Sequence, residues 1–277
     1  MDKEFWVSIA RNDYVIPDGH TLNELKEILF SYLGSTDPEL RDDIAYIVYA
    51  NWLKREMFTK EEVRAHIDEL LANLDKGIGE TESDSVFLRT FSVLLLAEIV
   101  HNDNKKPLLE KDQIQSILAK GLWYLDAEKD PRGHIPVKGW AHALAHTADL
   151  MLVLGKNRQT EKDDLENILQ SIANKLIHST NLVYIHGEDD RIANAVLMTL
   201  KRNLLTGDFL GNWLKSFTEP NPSWNGAYVD KGQAKAFHNS RNFLRSLSEA
   251  IRTADESPEK ETTAKLVYDA LDNLKPY

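Results

Sequence analysis

Helix start and stop signals recur from one end of this 277-residue sequence to the other, whereas the apolar–polar alternation typical of strands is scarce. Thr21 with Glu24, and Thr59 with Glu62, have the spacing of a capping box, in which each side chain satisfies an unpaired backbone N–H. Gly34 follows the first of these segments as a stop signal. The signals predict about eleven helices, at residues 22–34, 38–56, 60–77, 84–101, 112–125, 140–155, 160–178, 188–202, 208–217, 233–253 and from 257 onward.

The short connections between these segments favour antiparallel helical hairpins, so we predict an all-α fold. The run from Asp37 to Asp42 at the start of a long helix is similar to the start of a HEAT repeat. We therefore predict that the hairpins stack as an α–α superhelix, with a closed helical bundle or toroid as the alternative. No linker rich in Pro, Gly or Ser divides the chain, which favours a single domain over residues 1–277.

Composition narrows the classes of function. The chain has no cysteine, which excludes disulfides, thiolate zinc ligands and a cysteine nucleophile. Its net charge of −11 argues against a nucleic-acid partner, since nucleic-acid binding requires a basic surface. The longest apolar run, Val93–Ala97, is too short to span a bilayer, and the first residues show no signal-peptide pattern. We expect a cytoplasmic bacterial protein with no membrane partner.

The segment Trp140–Asp149 holds the most reactive combination of side chains. As a helix it would place His142, His146 and Asp149 on one face, at about 100° per residue, and Trp140 and Leu144 on the opposite, core-facing side. Two histidines four residues apart can offer both imidazoles to a divalent metal such as zinc. Asp149 lies about 10.5 Å along the axis from His142, too far to share that ion, and would instead orient His146.

Three interpretations of the histidines remain open. Both rings could be buried and hydrogen-bonded to neighbouring helices, they could bind a metal, or they could line a metal-free polar pocket. A metal site would need a third ligand from elsewhere, such as His186, Glu188 or His238. Sequence motifs for a nucleophile elbow, a phosphate-binding Walker loop or a dinucleotide site are absent.

Two charged loops, residues 126–139 and 184–191, are the places to look for partners of these histidines. The first is too long and too charged for a simple turn, and connections of that kind are often functional. If the hairpins stack in sequence, both loops lie on one rim. Their carboxylates could serve in acid–base chemistry, and their cations could receive an anionic ligand or form ion pairs. The additional candidates for a ligand groove are Glu128, Asp130, Arg132, Lys138, Glu188, Arg191 and Arg245.

The central block resembles an uncharacterised bacterial family known as domain of unknown function 2785. The resemblance lies in the pattern Glu128-x-Asp130-x-Arg132-Gly133 followed by Lys138-Gly139-Trp140-Ala141-His142-Ala143-x-Ala145-His146-x-x-Asp149. Residues 83–89, 187–191 and 242–247 are similar to its other blocks, so that the resemblance spans roughly residues 37–250. It implies a helical-repeat-like fold and no established activity.

Two hypotheses for function follow. In the first, the chain is a helical-repeat scaffold whose polar His/Asp-lined groove binds a peptide, a protein partner or a small ligand. In the second, it is a hydrolase-like enzyme that uses a divalent metal on His142 and His146. No catalytic residue is identified, and the incomplete set of metal ligands favours the scaffold.

Overall fold

A computed structural model describes residues 1–178, 180–219, 224, 230–256 and 260–274, and it confirms the all-α fold class. A π-helical turn at Glu39–Tyr46 leads directly into the third α-helix, and two short antiparallel strands, β1 (His134–Ile135) and β2 (Gly139–Trp140), form a hairpin. The described residues include twelve α-helices: α1 Lys3–Arg11, α2 Leu22–Tyr32, α3 Ile47–Lys54, α4 Lys60–Asn73, α5 Ser85–Lys105, α6 Lys111–Ala127, α7 Ala143–Lys156, α8 Lys162–Ile177, α9 Glu188–Leu200, α10 Gly207–Thr218, α11 Lys231–Thr253 and α12 Lys260–Asn273.

Local capping explains why several helices begin where the sequence predicts. Thr59 and Glu62 form the complete capping box at the start of α4, and the Thr21 side chain accepts from the backbone N–H of Glu24 in α2. Two elements were not predicted: α1, which is capped by Asp2, and the β-hairpin. The predicted cap and proline before α12, at residues 257–259, lie outside the described residues.

The chain divides into two compact units, residues 1–117 with 127–150 and residues 118–126 with 151–277. The core of the first unit includes Trp6 and Trp52, whose ring centroids lie 6.5 Å apart. The core of the second includes Phe217 and Phe243, with centroids 5.4 Å apart. The superhelical stacking of hairpins and the single domain stay predictions.

Helix α5 is the central helix of the first unit. By length and composition it could cross a membrane, but 67% of its most apolar window is buried inside the protein, as in the core helices of soluble proteins. Its buried polar residues are also bonded within the protein: the Asp103 carboxylate, for example, accepts the backbone N–H groups of Leu108 and Leu109, each at 2.8 Å.

Gly155 allows a close approach between α7 and α9 in the second unit. The sequence predicts that α7 stops at this glycine, but the helix includes Gly155 and ends at Lys156. A Cβ atom at position 155 would overlap the Oγ1 of Thr199 and lie 3.4 Å from its Cβ. The Thr199 hydroxyl cannot easily turn away, because it donates to the carbonyl of Ala195 at 3.0 Å.

We expect Gly155→Ala to lower the free energy of unfolding by about 1–3 kcal/mol, because the added methyl group overpacks the contact with Thr199. Urea unfolding followed by circular dichroism measures the change. Gly211→Ala in α10 is the matched control, since nothing lies within 4 Å of its added Cβ, and a gain of up to about 1 kcal/mol from helix propensity is expected there. Equal effects of the two substitutions would contradict the packing argument.

His66 of α4 is a buried titratable group in the first unit. Its Nδ1 lies 3.1 Å from the hydroxyl of Tyr49, and its ring makes edge contacts with Phe30 and Phe58. Burial, with a smaller contribution from the charge on Lys26, lowers the pKa of His66 to about 4. The ring is therefore neutral in the folded protein at pH 7.

Acidification should destabilise the protein through His66. The unfolded side chain titrates near pH 6.5, so the neutral folded ring contributes its full stability above that pH and loses it as the pH falls toward 4. Between pH 7 and pH 5 we expect a loss of about 1–2 kcal/mol that His66→Gln removes. Urea unfolding of both proteins at the two pH values measures it. The same pH dependence in the variant would show that other groups are responsible.

Candidate functional site

The charged loop before the histidines folds into the β-hairpin, residues 134–140. His134 pairs with Trp140, and Ile135 pairs with Gly139. Because successive strand residues face opposite sides, Ile135 packs inward against a buried cluster that includes Phe87 and Ala141, while His134 and Trp140 face outward. Trp140, predicted to face the core of a helix, is instead in β2 and 38% exposed.

The turn of the β-hairpin holds a strained apolar residue. The backbone N–H of Lys138 donates to the carbonyl of Ile135 at 3.1 Å, which places Pro136 and Val137 at the two corners. Val137 has a φ of 70°, in the left-handed region that favours glycine or asparagine at such a corner and that a β-branched residue rarely adopts. Its side chain is 93% exposed.

A buried ion pair anchors the chain segment that enters the β-hairpin. The guanidinium of Arg89 in α5 donates to both carboxylate oxygens of Glu128, at 2.6 and 3.1 Å, and both residues are buried. Glu128 also accepts the backbone N–H groups of Lys129 and Asp130, and Arg89 donates to the carbonyl of Lys76. Both charges are therefore hydrogen-bonded as well as paired, which offsets the cost of their burial.

Two further ion pairs hold the β-hairpin, and both of their cations bond to residues 83 and 84, just before α5. Arg132 donates to the carboxylate of Asp130, with a closest distance of 2.6 Å, and to the carbonyl of Ser83 at 2.7 Å. The Nζ of Lys138 lies 2.7 and 2.8 Å from the two carboxylate oxygens of Asp84. Glu128, Asp130, Arg132 and Lys138, all selected from the sequence, thus form ion pairs that position the β-hairpin, one of the outcomes that the sequence left open.

Arg41, which the sequence analysis did not select, fixes the far end of the β-hairpin. Its side chain is fully buried and donates to the carbonyls of Ser35, at 2.6 Å, and Lys138, at 2.9 Å. The guanidinium lies over the rings of Phe87 and Phe91, at 4.1 and 4.8 Å from their centroids. An arginine within a charged helix start carries no local signal that distinguishes burial from exposure.

Gly139 is required where the β-hairpin packs against Pro38 and Arg41. It has a φ of 77°, and a Cβ atom there would lie 2.8 Å from the Cβ of Pro38 and 3.1 Å from a guanidinium nitrogen of Arg41.

Next to Arg41, burial raises the pKa of the Asp42 carboxyl to about 6, against the opposing effect of the arginine.

The predicted geometry of the two histidines is wrong. Helix α7 begins at Ala143, and His142 precedes it with a left-handed φ of 53°. Both residues are buried, each being 5% exposed, which agrees with the first of the three interpretations that the sequence left open. A helical-wheel projection gives the wrong direction for His142, because this residue precedes the helix and does not follow its rotation of 100° per residue.

His146 has a defined hydrogen-bond partner that the sequence did not indicate. Its Nδ1 lies 2.8 Å from the hydroxyl of Thr90, and that hydroxyl donates its proton to the carbonyl of Ala141 at 2.6 Å. The Thr90 oxygen must therefore accept from Nδ1–H, and the Thr90 carbonyl, at 3.3 Å from Nδ1, can also only accept. In the neutral ring the proton is on Nδ1, and Nε2 is the basic nitrogen.

Aromatic rings form a continuous row from the surface into the core of the first unit. The ring of His134 meets Trp140 edge-on at 4.9 Å, and Trp140 stacks on His142 at 4.4 Å. His142 lies 5.8 Å from His146, which in turn contacts Phe91 at 5.2 Å. The partly exposed Trp140 is thereby packed, on its inner side, against a buried ring.

The ligand set for a metal is incomplete. Among the residues that the structure describes, no group of three or more His, Asp or Glu side chains is arranged to hold a metal ion. Of the third ligands considered, Glu188 accepts the backbone N–H of His186 at 2.8 Å. Asp149 is half-buried in α7. The metal-dependent alternative thus stays a prediction based on two imidazoles.

The family model described as Protein of unknown function (DUF2785) matches residues 74–248, more than half of the chain. This chain belongs to that family. Comparison with curated proteins and comparison with solved structures give no match. The matched segment includes α5, the β-hairpin and the two histidines.

The remaining ligand-groove candidates that the sequence analysis selected belong to the second unit of this DUF2785 protein. Glu188 is buried at the start of α9, where Gly187 has a φ of 82°. Arg191 is half-buried in the same helix, and Arg245 is exposed on α11. The two charged loops belong to different units, so their predicted common rim stays a prediction.

We expect Glu128→Gln to lower the free energy of unfolding by about 3–5 kcal/mol, because it leaves the charge of Arg89 buried without its counterion. Glu56→Gln is the matched control, since it removes an ion pair to Lys106 in which both side chains are more than half exposed, and a change within about 1 kcal/mol is expected. Urea unfolding measures both. A loss for Glu128→Gln as small as the control's would show that the buried pair does not anchor the loop.

Proposed function

We propose that this protein is a non-catalytic helical scaffold that binds a peptide or protein partner through the outward surface of the β-hairpin. This surface consists of His134, Val137 and Trp140. The proposal replaces the polar His/Asp-lined groove with a neighbouring, mainly apolar surface, because Glu128, Asp130, Arg132 and Lys138 are engaged in holding the β-hairpin.

The conformation and exposure of Val137 carry the proposal. A non-glycine residue with a left-handed φ costs on the order of 1–3 kcal/mol, which glycine or asparagine would largely avoid. A side chain that is 93% exposed regains almost none of that energy by burial in the folded chain. Strained backbone of this kind clusters at ligand contacts and switch regions, and an apolar side chain there suits contact with another molecule.

The surroundings of Val137 match the composition of a protein-binding surface. Tryptophan is enriched among the residues that dominate binding energy, and Trp140 is half-exposed on the same β-hairpin. The Lys138–Asp84 ion pair, with each side chain about 40% exposed, supplies a polar border. Because the ion pairs and Arg41 hold the β-hairpin in one conformation, binding would require little ordering of this segment.

Substitution of Val137 tests the proposal. We expect Val137→Asn to raise the free energy of unfolding by about 1 kcal/mol, since asparagine tolerates the left-handed conformation. A photoreactive benzophenone amino acid at position 137, in cells that naturally express the protein, should form one dominant adduct that is lost when Trp140→Ala is added. Val15, 54% exposed in the same unit, is the control position.

Two results would contradict the proposal. Identical adducts from positions 137 and 15 would show that the contact is not specific to the β-hairpin. An adduct that persists at full yield in the Trp140→Ala background would show that the exposed tryptophan takes no part in binding. Thermal unfolding of that variant confirms that it is folded.

A further inference from the structure

Helix α11 carries a one-sided basic surface in an acidic protein. Between residues 231 and 248 it contains four Lys or Arg residues and no Asp or Glu, although the chain as a whole has a net charge of −11. At 100° per residue these cations and one histidine occupy an arc of about 120°, centred opposite the buried side that includes Phe243 and Leu247. The basic face of α11 comprises Lys231, Lys235, His238, Arg241 and Arg245.

This arrangement is unfavourable for the helix itself. Lys231 with Lys235, and Arg241 with Arg245, are like-charge pairs spaced four residues apart, which destabilise a helix. Lys231 also lies at the N-terminal end of α11, where the helix dipole favours negative charge. Most solvent-facing helix surfaces relieve such repulsion with interspersed carboxylates, and on α11 none occurs before Glu249.

Two carboxylates near the basic face are engaged in other bonds. Asp230 caps α11 by accepting the backbone N–H of Gln233, and Asp189 of α9 accepts the hydroxyl of Ser246 at 3.1 Å. Lys231, His238 and Arg245 are exposed to solvent.

We propose that the basic face of α11 binds an acidic polypeptide segment. The helix rises about 21 Å over the 14 steps from Lys231 to Arg245, at 1.5 Å per residue, and this length matches an acidic helix of about four turns. A nucleic acid fits less well, because its phosphates would continue beyond this length and would face a protein that is otherwise strongly acidic. The surface belongs to the second unit and does not include the β-hairpin, so the inference is independent of the proposed function.

Fluorescence anisotropy with a labelled oligoglutamate peptide tests the assignment on the full-length protein. We expect saturable binding at low salt that is lost at about 0.5 M NaCl. Lys231→Gln combined with Arg245→Gln should weaken binding about tenfold, as expected for the loss of two surface ion pairs. The charge-conserving pair Lys231→Arg with Arg245→Lys should retain it.

Lys215→Gln combined with Lys265→Gln is the matched control, because it removes the same charge from α10 and α12. Its affinity should change less than about twofold. Equal weakening by both double variants would show attraction by overall charge and would overturn the proposal, as would the absence of saturable peptide binding. Tighter binding of an oligothymidylate with the same number of charges would replace the polypeptide with a nucleic acid.

Discussion

The buried Arg89–Glu128 ion pair is the interaction on which the architecture of the candidate site depends. Arg89 is part of α5, and Glu128 comes directly after α6, so the pair fixes the point at which the chain leaves that helix. The carboxylate also accepts two backbone N–H groups at the start of the loop. A buried charge without a partner is strongly destabilising, so a loop conformation that separates Glu128 from Arg89 is unfavourable.

The ion pairs of loop 126–139 explain why several of its charged side chains have a structural role. Arg132 of the loop pairs with Asp130, and Lys138 pairs with Asp84. From outside the loop, Arg41 donates to the carbonyl of Lys138. Residues that resemble catalytic groups in the sequence thus maintain the β-hairpin. The surface that we propose for binding combines a valine in a strained backbone conformation with a partly exposed tryptophan.

Local signals predicted the helices well where the determining interactions are short-range. The capping box of Thr59 and Glu62 satisfies backbone groups within one turn, so residue type and spacing are sufficient to locate the start of α4. The same reasoning failed for the β-hairpin, since its short strands contain no alternation long enough to recognise. It failed for His142 because the backbone reverses its handedness there, which shifts the true start of α7 to Ala143.

The sequence by itself determined the all-α class, the positions of most helices, the family and the central block of residues that build the site. Only the tertiary structure decided what those residues do, because their partners are distant: Arg41 meets Lys138 across 97 positions, and His146 meets Thr90 across 56. Helix caps and periodicity depend on neighbours within a few residues. Burial, ion pairing and the proton position on His146 depend on which distant backbone and side-chain atoms folding brings together.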